Sequence, residues 1–117
     1  MRALLPADDF EEQIVRAGQL TFFLAKRSVE VQGHGERQMT PKLADLLEEF
    51  LRNPNEVLGR HRLMKNVWDT DYFGDTRTLD VHIRWLREII EENPARPEII
   101  TTVRGLGYLF SIPTDAS

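Results

Sequence analysis

Cysteine is absent from the 117 residues, which excludes a disulfide framework, a thiolate metal site and a cysteine nucleophile. Histidine is scarce, with His34, His61 and His82 the full set, and no two are close enough in sequence to suggest a metal site. No apolar run approaches the about 18 residues of a membrane span. The opening Met1-Arg2-Ala3-Leu4-Leu5-Pro6 is interrupted too soon for a signal-peptide core. These features lead us to expect a soluble cytoplasmic domain with no membrane partner, no metal and no cofactor. Positive charge is not in excess either: 15 Lys and Arg face 19 Asp and Glu, for a net charge of -4. Nucleic-acid binders are usually basic because neutralising phosphates drives their affinity. Net charge describes the whole surface, however, so the placement of the arginines is what decides. What the chain does have, 41% hydrophobic and 29% charged residues, suits one small globular domain that buries roughly two-thirds of its unfolded surface.

Residues 1–17 carry Asp8, Asp9, Glu11 and Glu12 beside Leu4-Leu5-Pro6, a composition expected of the end of one element followed by a linker. Leu20-Thr21-Phe22-Phe23 and Ser28-Val29-Glu30-Val31 are short β-prone runs. With the Gly33-His34-Gly35 turn before Arg37-Gln38-Met39, they predict an antiparallel meander. Thr40-Pro41 supplies a hydroxyl N-cap with proline at the first helical position. Leu43, Leu46, Leu47, Phe50 and Leu51 then form one apolar stripe, stopped at Asn53-Pro54. Val57-Leu58 reads as a short strand, and a second helix after Gly59 turns Leu63, Met64, Val67 and Trp68 inward.

The first turn of that second helix carries Arg60, His61 and Arg62, and positive charge there opposes the helix dipole. A bound phosphate would favour such an arrangement; solvated surface charges tolerated at small cost would also account for it. The polar segment 69–75 precedes a third helix, expected over about 76–92, that Asp75 or Thr76 would cap. At about 100° per residue, Leu79, Ile83, Leu86 and Ile90 share a narrow sector, and Arg77, Val81, Arg84 and Glu88 lie opposite. The first set is core and the second faces solvent or a ligand. Asn93-Pro94 ends the helix. Two β-prone runs, Ile99-Ile100-Thr101-Thr102-Val103 and Tyr108-Leu109-Phe110, flank Arg104-Gly105-Leu106-Gly107 and predict a hairpin over about 99–110 with Arg104 at its tip. Residues 113–117 are expected to form a tail.

Strands, three helices and a hairpin in that order predict an α+β winged helix-turn-helix, whose third helix enters the major groove while the hairpin reaches neighbouring backbone or the minor groove. Arg77 and Arg84 stand two turns apart on one face, where guanidinium forks pair with guanine or clamp phosphates. Arg104 on a narrow tip suits the negative potential of a minor groove. The stretches that carry a family likeness are Thr40-Pro41-Lys42, Val67-Trp68, Gly74-Asp75-Thr76-Arg77-Thr78-Leu79-Asp80-Val81-His82-Ile83-Arg84 and Ile100-Thr101-Thr102-Val103-Arg104-Gly105-Leu106-Gly107-Tyr108. Together they resemble the effector domain of OmpR/PhoB-family response regulators over about residues 18–112.

The resemblance implies a four-stranded N-terminal sheet, a three-helix core and a C-terminal wing. It also implies head-to-tail dimerisation on direct-repeat DNA, although the fragment alone would be free to remain a monomer. An upstream receiver domain, phosphorylated by a sensor kinase, is implied as well, and Arg2-Ala3-Leu4-Leu5 looks like the last turn of its final helix. Arg77, His82, Arg84 and Arg87 match recognition-helix positions that meet DNA in the family, with Val81 able to meet a thymine methyl, and Thr102 and Arg104 match wing contacts. Asp71, Tyr72 and Phe73 lie in the segment that touches RNA polymerase in some members.

The residues also allow plainer readings. His82 sits about 140° round the helix from Arg77, which favours a hydrogen bond to backbone or phosphate over base reading. Asp80 suits the helix N-terminus and an i,i+4 pair with Arg84, and Arg87 could answer Glu91 in the same way. Trp68 and Tyr108 fit the core, and Gly105 and Gly107 serve backbone conformation. Trp85, Glu88, Ile89 and Leu109 stand where basic residues are frequent in the family, so residues 60–107 hold eight basic and eight acidic side chains and no net charge. Trp85 could pack on a groove wall, cover the core edge or meet a partner subunit. Sequence-specific transcriptional control is the leading reading, and a winged helix used as a protein-interaction module is the alternative. An enzyme has no support from a nucleophile elbow or a dinucleotide loop.

Overall fold

The computed structural model describes residues 13–69 and 76–112. The readings placed on 1–12, on Asp71, Tyr72 and Phe73, and on 113–117 lie outside the described residues. Four short strands, β1 (Ile14–Ala17), β2 (Leu20–Phe23), β3 (Ser28–Val31) and β4 (Gly35–Gln38), pair in chain order as an antiparallel sheet. The period-2 alternation of strands puts Leu20 and Phe22 of β2 on the inner face, and Val29 and Val31 of β3 are buried with them. The sheet starts four residues before the boundary expected at 18. Neither residue 14 nor 16 of β1 is buried and 15 and 17 are only half so, so its alternation is too shallow to mark a strand in the sequence.

Helix α1 (Pro41–Arg52) opens as expected: the Thr40 hydroxyl accepts the Leu43 N–H at 3.2 Å. It packs Leu43, Leu46, Leu47 and Phe50 against the sheet and the other helices. β5 (Val57–Leu58) leads into α2 (Arg60–Trp68), which buries Leu63, Met64 and Val67. Helix α3 (Arg77–Ile90) buries the four residues of its apolar sector, Leu79, Ile83, Leu86 and Ile90, each at most 1% exposed. β6 (Ile100–Val103) and β7 (Gly107–Phe110) form the C-terminal hairpin, and β5 pairs on the far side of β7 to make a three-stranded sheet in the order β5-β7-β6. Phe110 stacks on Phe50, with ring centroids 6.3 Å apart, which closes the hairpin onto α1.

Two ends of α3 differ from expectation, each for an identifiable reason. It stops at Ile90 rather than near 92 because Glu91 turns extended and its buried carboxylate accepts the N–H groups of Glu98, Ile99 and Ile100 at 2.7–3.1 Å. At the other end Thr76 holds the N-cap position but makes no side-chain cap bond. Its hydroxyl instead accepts from the Arg60 guanidinium. Among the described residues, no helix is long and apolar enough to cross a membrane, and no cluster of three or more His, Asp or Glu side chains could hold a metal ion.

Candidate nucleic-acid interface

The outer face of α3 follows from its inner one. With the apolar sector buried, Arg77, Val81, Arg84 and Glu88 are left exposed along the helix, and the Arg84 side chain is 75% accessible, with its Nε 3.8 Å from Glu88. Val81 at 36% and Trp85 at 44% are exposed large apolar side chains one turn apart on this helix. At the hairpin tip, Arg104 is exposed and Leu106 is 65% accessible. The tip closes through the Leu106 N–H, which donates to Val103 at 2.9 Å.

Asp80 joins three elements beside that face. Its carboxylate accepts both ends of the Arg60 fork, at 2.7 and 3.0 Å, and the Tyr108 hydroxyl at 2.9 Å. Arg60 starts α2, Asp80 lies in the first turn of α3, and Tyr108 is in β7. The two hydrogen bonds and the charge of Arg60 hold the Asp80 carboxyl below the usual carboxylate range, with the Tyr108 bond adding to the effect. Burial, and then the bond to Asp80, raises the Tyr108 phenol above its ordinary value. Arg60 is raised in turn by Asp80. The i,i+4 pair expected between Asp80 and Arg84 therefore does not form. A bidentate guanidinium and a phenol from other elements outcompete one exposed neighbour on the same helix.

This joint also accounts for the basic start of α2 without a phosphate. Arg60 is offset by Asp80, and Arg62 donates to Glu56 at 2.9 Å and to the Asn53 side chain at 3.0 Å. Arg87 does not answer Glu91. Its Nε donates to the Ile100 carbonyl at 2.9 Å, its Nη2 donates to the Thr102 hydroxyl at 3.0 Å, and its guanidinium lies over the Tyr108 ring. Thus Arg87 and Thr102, both expected at DNA, meet each other and tie α3 to β6. His82 takes the backbone bond its position favoured, Nδ1 to the Thr78 carbonyl at 2.8 Å, and its ring lies between Trp68 (5.0 Å, edge-on) and Trp85 (5.1 Å).

Of the expected site residues, the structure leaves Arg77, Val81 and Arg84 together on one exposed face and Arg104 at the tip, and Arg60, Arg62, His82, Arg87 and Thr102 make contacts within the protein. Sequence reasoning missed the roles of Tyr108, Glu91 and Thr76. The one signal available was Arg60 itself, a cation in an unfavourable place that called for a carboxylate from elsewhere in the chain.

A family model described as "Transcriptional regulatory protein, C terminal" matches residues 34–110. The chain belongs to this family. It is 46% identical over 99 residues to the sensory transduction protein RegX3 of Mycolicibacterium smegmatis, covering 84% of this chain and 42% of that one. The chain spans about half or less of the length of the curated relatives it matches. Family membership extends to structure. The DNA-binding domain of Klebsiella pneumoniae RstA, solved with the RstA box, superposes with a TM-score of 0.75 at 31% identity over 85% of this chain and 97% of that one. The response regulator DrrB of Thermotoga maritima, described as an OmpR/PhoB homologue, gives 0.73 at 25% identity over 90% and 49%. The OmpR/PhoB resemblance and the winged-helix architecture read from the sequence are borne out.

Proposed function

We propose that the chain is the effector domain of a two-component response regulator and controls transcription by binding double-stranded DNA sequence-specifically. The observation that carries this reading is the exposed arginine face of α3, fixed relative to the wing by Asp80, Arg60 and Tyr108 on one side and by Arg87 and Thr102 on the other. Helix α3 enters the major groove with Arg77 and Arg84 toward base edges or phosphates. The wing places Arg104 at the adjacent minor groove or backbone. His82, Arg87, Thr102 and Arg60 set the angle between helix, wing and α2, Arg62 ties α2 to the end of α1, and any phosphate they meet is met from those fixed positions. The protein is cytoplasmic, not an enzyme, and needs no cofactor. Two copies bind direct repeats head to tail, a sensor kinase acts through a receiver domain of the whole protein, and Asp71, Tyr72 and Phe73 offer a contact to RNA polymerase.

Selection from random duplex DNA at low salt tests the reading, performed with the chain alone and with two copies joined in tandem. A recovered motif, repeated directly at about one helical turn, is the expected result. Arg84→Ala and Arg104→Ala should each weaken binding to that motif by about 1–3 kcal/mol while leaving the melting temperature in place. Unchanged affinity in both variants would overturn it. A folded chain that enriches nothing in either format would favour a protein-interaction module instead, which the neutral charge of residues 60–107 and the exposed Trp85 would suit.

A further inference from the structure

Arg37 stands where the pattern of the N-terminal sheet calls for an apolar residue. In the register of that sheet it lies opposite Val29, Val29 lies opposite Phe22, and Phe22 opposite Val15, so the four share one face. Val29 and Phe22 are buried in the core. Arg37 ends that row on β4, the strand at the edge of the sheet, and is exposed. Its Nη1 leaves the sheet and donates to the Glu88 carbonyl of α3 at 3.2 Å, across 51 positions of sequence. We propose that Arg37 is a positioning residue for DNA recognition: from the N-terminal sheet it holds the last turn of α3, and through that turn it directs Arg84. The inference rests on the DNA-binding reading above and adds a residue, outside both the helix and the wing, on which that binding depends.

Three observations carry this role. The first is the acceptor. The last four carbonyls of a helix have no helical N–H to meet, and in α3 the Arg87 carbonyl takes the Glu91 N–H at 2.9 Å while the Glu88 carbonyl takes Arg37. A guanidinium at that end also faces the negative pole of the helix. The second is the footing of Arg37 itself. β4 buries no residue, yet both neighbours of Arg37 are tied down. Glu36 accepts from the Ser28 hydroxyl and pairs with Lys26 at 3.3 Å, and the Gln38 amide donates to the carbonyls of Lys26 and Arg27 at 2.6 and 3.2 Å. The third is what the held turn contains. Glu88 is the residue whose carboxylate stands 3.8 Å from the Arg84 Nε. On either side of it, Arg87 bonds to the Ile100 carbonyl of β6 and Glu91 to the N–H groups of residues 98–100. The turn is thus tied to the wing by its own side chains and to the N-terminal sheet by Arg37, and Arg84 projects one turn before it.

A charge on the inward side of an edge strand also discourages pairing with another strand, and the test separates the two roles. Amide hydrogen exchange is followed in the chain without DNA for wild type, Arg37→Met and Arg37→Glu, the last of which keeps a charge on the edge but cannot donate. Both variants should exchange faster at Glu91, by about two- to fivefold, the range for one charge at a helix end. Asp80, whose N–H closes the first turn of α3 onto Thr76 at 3.2 Å, should keep its wild-type rate. Wild-type exchange at Glu91 in Arg37→Glu would leave edge protection alone and refute the assignment. On the motif recovered by selection, Arg37→Met should lose about two- to fivefold in affinity. That loss should vanish in the Arg84→Ala background, because a residue that acts through Arg84 then has nothing further to remove. Equal losses in both backgrounds would overturn the proposal while leaving DNA binding intact. A folded chain that enriches no motif would overturn the DNA-binding reading, and with it the role of Arg37 in recognition, whatever the exchange at Glu91.

Discussion

Asp80 is a carboxylate on which α2, α3 and the wing strand β7 converge, through Arg60 and Tyr108. Its folded-state carboxyl is held below the ordinary value by Arg60, and the sign of the resulting pH dependence follows. A depressed folded value means that the unfolded chain binds the proton more readily, so the stabilisation is complete above the ordinary carboxylate range and is lost as pH falls through the lowered one. Asp80→Asn keeps the shape but removes the charge. The melting temperature of the variant should therefore lie below that of wild type at neutral pH, with the gap closing as the solution is acidified. A gap independent of pH would mean that the carboxylate's charge contributes nothing to the joint. The same residue shows where sequence reading stops. The i,i+4 rule offers partners along one helix only, and the partner that wins stands twenty positions upstream, visible only once α2 and α3 are packed. Arg87 repeats the lesson: its helical neighbour Glu91 is occupied with the N–H groups of residues 98–100, which leaves the guanidinium to β6.

Elements were more legible than the bonds between them. The apolar sectors of α1 and α3, the Thr40 cap and the hairpin all follow from periodicity and turn chemistry, and the outward face of α3 is simply what the buried sector leaves over. Strand β1, with its shallow alternation, did not stand out. The wing depends on a feature of one element against another. Gly107 opens β7 with φ +151°, and a Cβ built there would lie 2.1 Å from the Leu58 carbonyl oxygen of β5. Glycine is required twice over, by the backbone conformation and by the close approach of the neighbouring strand. Gly107→Ala should destabilise the domain by about 2–4 kcal/mol. Gly33→Ala is the control, since its φ is +86° but nothing lies within 4 Å of the added carbon, and it should cost only about 1 kcal/mol. Thermal melts of the two variants separate close approach from backbone conformation. Equal losses would remove the strand contact as the cause.

For the whole molecule, the charge distribution sets how DNA is approached. With a net charge of -4 and no net charge over residues 60–107, long-range attraction to a polyanion is weak, and affinity must come from a few guanidiniums held in place. Glu88 sharpens this. It stands on the outer face of α3 with its carboxylate 3.8 Å from Arg84, so in the proposed complex Arg84 exchanges one partner for another. A phosphate repelled by Glu88 offers little in that exchange, whereas a guanine edge, with its paired acceptors at N7 and O6, can replace the carboxylate geometrically. The carboxylate thereby penalises non-specific contacts more than specific ones. Glu88→Gln should then raise affinity for random duplex severalfold, and affinity for the selected motif by less. It should also steepen the dependence of the logarithm of the binding constant on the logarithm of salt concentration by about one unit, as Arg84 gains a phosphate. A variant whose salt slope and ratio of specific to non-specific affinity both match wild type would show that Glu88 takes no part in discrimination.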